Sequence, residues 1–226
     1  DIASRDRDTL DRVAVQIALD VPGADICSHV ADLSLSADQE LLFEACRDVD
    51  ILINNAGAAA SGSLLETDEI DWRNSWDLKG FGYINLSRAF CGVMKDRGDG
   101  VIVNIIGYAG ERLNSSYVIG TTGNAALMAF TQSAGSESPD FGVRIIGVNP
   151  GFTKTDRAEK QLKTFSENKF GTPDRWQDIE REMDLPFGRM ALVEEVADMI
   201  TFLASPRASY MSGSIVTIDG GGTHRN

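Results

Sequence analysis

The sequence predicts one α/β domain, a doubly wound sandwich in which helices cover both faces of a parallel sheet. Two observations lead there. Short segments such as Ile51–Ile53, and Val101–Ile106 but for Asn104, are apolar along their whole length, as strands buried on both faces must be. Amphipathic stretches with helical periodicity alternate with them, which is the order that builds βαβ units. At 226 residues, 42% of them hydrophobic, the chain is long enough for one substantial core.

Taken in order, Asp1–Arg5 reads as the tail of a strand. A helix is predicted over Asp8–Leu19, with Leu10, Val13, Ala14 and Ile17 on one face. A strand follows at Asp25–Val30 and runs into Ala31-Asp32-Leu33. Ser36 and Gln39 have the spacing of a capping box that opens a helix to about Cys46. Asp50–Asn54 is a strand closed by Asn55-Ala56-Gly57. A long helix is predicted over Asp68–Met94, a strand over Val101–Ile106, and a helix over Tyr117–Ser136. Val143–Val148 is a strand, Val193–Ala204 a helix and Ser214–Ile218 the last strand. Asp156–Asp184 reads as irregular and charged, with Phe165, Phe170 and Trp176 spaced through it. Lying just past a strand end, where such sheets bind ligands, this stretch is expected to be a substrate lid.

Composition narrows the function. The net charge is −13 and the acidic residues are scattered, which argues against nucleic acid as a partner, since that needs clustered Lys and Arg. Cys27, Cys46 and Cys91 are too far apart for a disulfide framework and are expected to be buried thiols. His29 and His224 are the only histidines and lack metal-ligand spacing, so no metal site is expected. No apolar run approaches the ~20 residues of a membrane span and no signal peptide is legible, so no membrane partner and a cytoplasmic setting are expected.

Four motifs carry a resemblance: Asp32-Leu33, Asn54-Asn55-Ala56-Gly57, Asn149-Pro150-Gly151-Phe152-Thr153-Lys154-Thr155 and Asp219-Gly220-Gly221. In this order and spacing the chain resembles the short-chain dehydrogenase/reductase family over essentially its whole length. The resemblance implies a Rossmann-like doubly wound parallel sheet in a single domain over residues 1–226. It places Asp32 and Leu33 beside an adenine, and Asn54, Ala56 and Gly57 near a cofactor ribose. Pro150, Gly151, Thr153 and Thr155 fall at the nicotinamide carboxamide. Ser4-Arg5 falls at the end of the second strand, where a hydroxyl and a guanidinium suit a 2′-phosphate, so NADP is expected, with NAD possible. The helices over 68–94 and 117–136 match those that pair between subunits in the family, which implies a homodimer or homotetramer.

Two departures accompany the resemblance. The family's first strand and Gly-rich turn, which hold the pyrophosphate at a helix N-terminus, have no counterpart in these residues; about 30 residues would be needed for them. These 226 residues are accordingly expected to bind dinucleotide weakly. The family's working residues are also replaced: its serine by Gly107, its tyrosine by Gly120, its lysine by Asn124 and its helix asparagine by Asp77. Glycine offers no side chain for acid/base work, and an amide carries no charge with which to lower a phenol's pKa. Asn124 can still meet ribose hydroxyls. Tyr117, one turn before Gly120, a water held by Asp77 and the substrate itself are the candidate proton sources, with Tyr108 and Glu111 nearby. The expected function is an NADP-dependent oxidation or reduction of a small alcohol or carbonyl at an atypical site. The alternative is a catalytically silent member that binds nucleotide for sensing, regulation or assembly.

Overall fold

The computed structural model describes residues 1–225. In chain order the elements are β1 (Ile2–Ser4), α1 (Arg7–Asp20), β2 (Ser28–Val30), α2 (Ser36–Ala45), β3 (Ile51–Asn54), α3 (Glu69–Ser75), α4 (Gly82–Arg97) and β4 (Gly100–Ile105). Then come α5 (Val118–Glu137), β5 (Val143–Pro150), α6 (Asp156–Phe170), α7 (Trp176–Glu182), α8 (Val193–Ala204) and β6 (Ile215–Ile218). Every strand pairing is parallel. Helices cover both faces, and the α/β class is as the apolar strands require.

The sheet, however, comes in two pieces: β1 pairs with β2, and β3-β4-β5-β6 form the other. Between β1 and β3 lies a recess of about 520 Å³, floored by Leu86 and Phe90 of α4. β3 consequently leaves Ile51 and Ile53 exposed, whereas β4 is buried throughout. β4 and β5 are the centre of the core: Ile102 and Ile145 pack on Phe90 and Met94 of α4, and Val103 and Ile146 pack on Leu203 of α8.

Local reading erred where packing overrode pattern. Ser36 caps nothing: Leu35 is the N-cap of α2, and Gln39 turns inward to donate to the Leu33 carbonyl at 2.8 Å and accept from Asn85 at 3.0 Å. The second strand is confined to Ser28–Val30, which leaves Cys27 exposed; Cys46 is buried and Cys91 only partly so. On α1 only Leu10 is buried, because no further layer covers Val13. The helix expected over 68–94 begins with a capping box between Asp68 and Asp71, then passes through a π-helical turn, Trp76–Phe81, before α4.

Residues 156–184 are helical rather than irregular. Thr155 caps α6 through the Ala158 amide at 3.2 Å, and Gly171 ends it in the left-handed region. Ala158 and Leu162, spaced by four, bury one face against Phe170, Trp176 and Ile179. Phe165 lies outside that cluster and is exposed. Among the described residues no helix is long and apolar enough to cross a membrane.

Candidate active site

The carboxyl ends of the strands converge on one side of the molecule. Two of them meet through a buried amide network. Asn54 at the end of β3 donates to Asn104 of β4 at 2.8 Å and to Ser87 of α4 at 3.0 Å; Asn104 in turn donates to Thr131 of α5 at 3.0 Å. The Asn54 side chain is therefore committed to fixing this edge. Ala56 and Gly57 follow it as half-buried backbone lining the recess, together with Ser4, Arg5 and Leu33.

Ser4, Arg5 and Asp32 come together at the ends of β1 and β2. Arg5 Nη1 lies 3.7 Å from Asp32 Oδ2, and the Ser4 hydroxyl accepts from the Asp6 amide at 3.4 Å. Hydrogen bonds from Ser34, with Arg5 adding its charge, hold the Asp32 carboxyl below the usual carboxylate range. The guanidinium remains 65% exposed and free to meet an anion.

At the end of β5, Gly151 passes so close to β6 that a Cβ there would lie 2.8 Å from Asp219 Cα. Only glycine allows this approach. Thr153 donates to the Gly151 carbonyl at 3.0 Å, and Thr155 is engaged as the cap of α6. Asp219 accepts from the Gly221 and Thr223 amides at 2.8 and 2.5 Å, which closes the turn after β6.

Around Gly107 the arrangement is unusual. Its φ of 122° lies in the glycine-favoured region. Its amide donates to buried Asn149 at 3.3 Å, and Asn149 donates onward to Glu111 at 2.9 Å. Asn124, buried on α5, puts Nδ2 3.1 Å from where a Gly107 Cβ would stand. Tyr117 is half-buried at the start of α5, with its ring laid over Gly120: a Cβ at Gly120 would collide with ring carbons Cε1 and Cζ and lie 2.5 Å from the hydroxyl. Asp77, on the π-helical turn, is exposed, and its carboxylate has no hydrogen-bond partner among the described residues.

The structure adds a residue that the sequence reading passed over. Lys79 leaves the same π-helical turn and donates from Nζ to the Ile106 carbonyl, immediately before Gly107. Its stem crosses Gly57, where a Cβ would lie 2.8 Å from Lys79 Cδ. Burial, with the Arg157 charge adding to it, lowers the Lys79 pKa to about 8. One turn on, buried Tyr83 donates to the Ile105 carbonyl at 3.0 Å, and burial raises its phenol well above the usual value. The available signal was the Lys79-x-x-x-Tyr83 spacing beside the position of Asp77. Arg157 of α6 donates to the Gly57 and Ala59 carbonyls at 3.2 and 3.3 Å, joining the 156–184 segment to the strand end it overhangs.

Also lining the recess, His29 Nε2 meets Asp1 at 2.7 Å and Cys46 Sγ at 3.4 Å. The sequence reading had not grouped these residues. Both contacts converge on one imidazole nitrogen, and burial raises the Cys46 thiol.

A parallel sheet with helices on both faces and an Asn-Asn-Ala-Gly turn at the end of β3 define a Rossmann-like α/β fold. The comparisons agree. The family model described as enoyl-(acyl carrier protein) reductase matches residues 2–223, and the chain belongs to the short-chain dehydrogenase/reductase family. Galactitol 2-dehydrogenase (L-tagatose-forming) of Cereibacter sphaeroides is 33% identical over 98% of this chain and 84% of its own. L-sorbose reductase from Gluconobacter frateurii, solved with NADPH and L-sorbose, superposes with a TM-score of 0.90 at 26% identity, covering 99% of this chain and 86% of that one. An NADPH-bound short-chain oxidoreductase from Pseudomonas aeruginosa PAO1, described as containing an atypical catalytic center, superposes at 0.86 with 26% identity and the same coverage.

Proposed function

We propose that this protein is an NADP-dependent oxidoreductase acting on a small carbonyl or alcohol, with an atypical active site. The observation that carries the reading is the pair of groups after β1 and β3. The exposed Arg5 side chain and the Ser4 hydroxyl stand at the end of β1, and the Asn54–Gly57 turn follows β3, both bordering the recess between the two strands. The exposed guanidinium suits a phosphate, and an acidic residue that would repel a 2′-phosphate is absent from positions 4 and 5.

In this reading Ser4 and Arg5 take the 2′-phosphate, and Asp32 and Leu33 flank the adenine. The backbone at Asn54, Ala56 and Gly57 and the Asn124 amide face the nicotinamide ribose. Pro150, Gly151, Thr153 and Thr155 form the turn beneath the carboxamide. When bound, the cofactor supplies or accepts the hydride. Gly107, Gly120 and Asn124 replace the family's serine, tyrosine and lysine, so proton traffic falls to other groups, with Tyr117 and a water held by Asp77 as candidates. The segment over 156–184 acts as a lid that Arg157 fastens to the Gly57 turn. Galactitol and L-sorbose, named for the relatives, make polyols and ketoses the first compounds to try. The cytoplasm is the proposed setting, and the helices over 68–97 and 118–137 are the proposed pairing surfaces of a homodimer or homotetramer.

Titration with NADPH and NADH, followed by a panel of ketoses, polyols and small ketones, tests the reading. NADPH should bind more tightly, and turnover should appear with at least one compound. A specific observation favours the alternative of a silent nucleotide-binding protein: the Tyr117 ring packs on Gly120 and makes no hydrogen bond through its hydroxyl among the described residues. NADPH binding with no turnover across the panel would select it.

A further inference from the structure

The positive charge that the family carries at position 124 is missing there, yet a half-buried cation reaches the residue before Gly107. Lys79 reaches the Ile106 carbonyl from the opposite helix, while Asn124 approaches the next residue, Gly107, from α5. Two glycines make this possible. Gly57 lets the lysine stem lie across its turn, where any side chain would collide with Cδ and Cγ. Gly107 leaves open the space that a serine would fill. The π-helical turn Trp76–Phe81 aims the lysine inward, and such turns are frequent at functional sites.

We propose that Lys79 is the cation of this active site and the proton donor to the substrate oxygen, an inference that rests on the oxidoreductase reading above. As hydride reaches the carbonyl carbon, the carbon–oxygen π pair moves onto oxygen. That oxygen takes a proton from the Lys79 ammonium, which becomes a neutral amine and is reprotonated by water. In the oxidative direction the neutral amine takes the hydroxyl proton. A pKa of about 8 lets the group carry either form near neutrality, as a general acid/base requires. The charged group facing it is Arg157, and among the described residues no carboxylate lies within 4.0 Å of its Nζ. Tyr83, one turn on, is not assigned this role because burial raises its phenol well above the usual value, so it gives up its proton less readily than Lys79.

The test needs no substrate at its first stage. Protein carrying ¹³C-labelled lysine is titrated by NMR with and without NADPH, the Lys79 signal being assigned by its loss in Lys79→Arg, and NADPH affinity is read by fluorescence. Lys79 should titrate near 8, below the ordinary lysine value, and its signal should move when NADPH binds. Lys79→Arg, which keeps the charge and the bond to Ile106, should bind NADPH normally and keep its melting temperature. On any ketone the protein reduces, its kcat should fall by roughly 10²–10⁴-fold with KM little changed. NADPH bound with an unmoved Lys79 signal, or an unchanged kcat in Lys79→Arg, overturns this inference alone. Failure to bind NADPH overturns the oxidoreductase reading, and this inference with it.

Discussion

The ring of Tyr117 occupies the space directly above Gly120, so the two residues are sterically coupled across the first turn of α5. Gly120 is buried, and a methyl group there would strike the ring itself rather than the end of a flexible chain. Tyr117 therefore fixes what position 120 can hold, a dependence that no spacing rule conveys.

Gly120→Ala should destabilise the protein by about 1–3 kcal/mol, the usual cost of overpacking. Tyr117→Ala in the same chain should recover most of it. Urea denaturation of both single variants and the double variant forms the cycle, and additive effects would mean that the ring moves away freely. For the same reason, installing Ser, Tyr and Lys at 107, 120 and 124 should restore ketone reductase activity only when Tyr117 is also shortened.

Arg5→Ala should weaken NADPH binding while leaving NADH nearly unchanged, since only the former carries the extra phosphate. Stability should hardly alter, because an exposed pair such as Arg5–Asp32 contributes ~0–1 kcal/mol. Equal losses for the two cofactors would remove Arg5 from the phosphate site.

Asn104 is fully buried and joins Asn54 to Thr131. Replacing it by Leu leaves the Asn54 amide short of a partner and should cost about 1–3 kcal/mol or more. Thermal unfolding measures this. A variant as stable as the parent would show that water or a rotated Asn54 replaces the bond.

Lys79 gives stability a pH dependence of known sign. Its folded pKa of about 8 lies below its unfolded value of 10.5, so between these values the unfolded chain binds more protons and stability rises with pH. The penalty for the buried charge is fully present below 8. Denaturation at pH 7 and at the upper end of that window should show the parent gaining up to about 3 kcal/mol on Lys79→Met. Parallel profiles for the two proteins would mean that Lys79 is better solvated than its contacts indicate.

Arg157 should govern how tightly the 156–184 segment holds to the strand ends. Arg157→Ala removes both bonds to the Gly57 and Ala59 carbonyls. Hydrogen exchange should then quicken across α6 and α7 while β4 and β5 stay protected. Unchanged exchange in α6 would place the hold in the Leu162–Ile179 packing instead.

By itself the sequence determined the parallel α/β class, because apolar runs such as Val101–Val103 and Ile105–Ile106 survive only where both faces are covered. It also determined where the strand ends lie, since Asn54–Gly57, Asn149–Gly151 and Asp219–Gly221 are local chain signals. Helix 193–204 was legible to the residue for the same reason. What only tertiary structure decided depends on contacts between distant segments. Gly82 packs 2.9 Å, measured from where its Cβ would stand, from the Leu33 carbonyl, beside the π-helical turn that sends Lys79 inward. Helical periodicity carries no term for such a turn. Likewise the 156–184 segment becomes helical because Ala158 and Leu162 find Phe170, Trp176 and Ile179 to cover them. Periodicity is a property of neighbours along the chain, whereas a side chain's destination is set by which other segments arrive beside it.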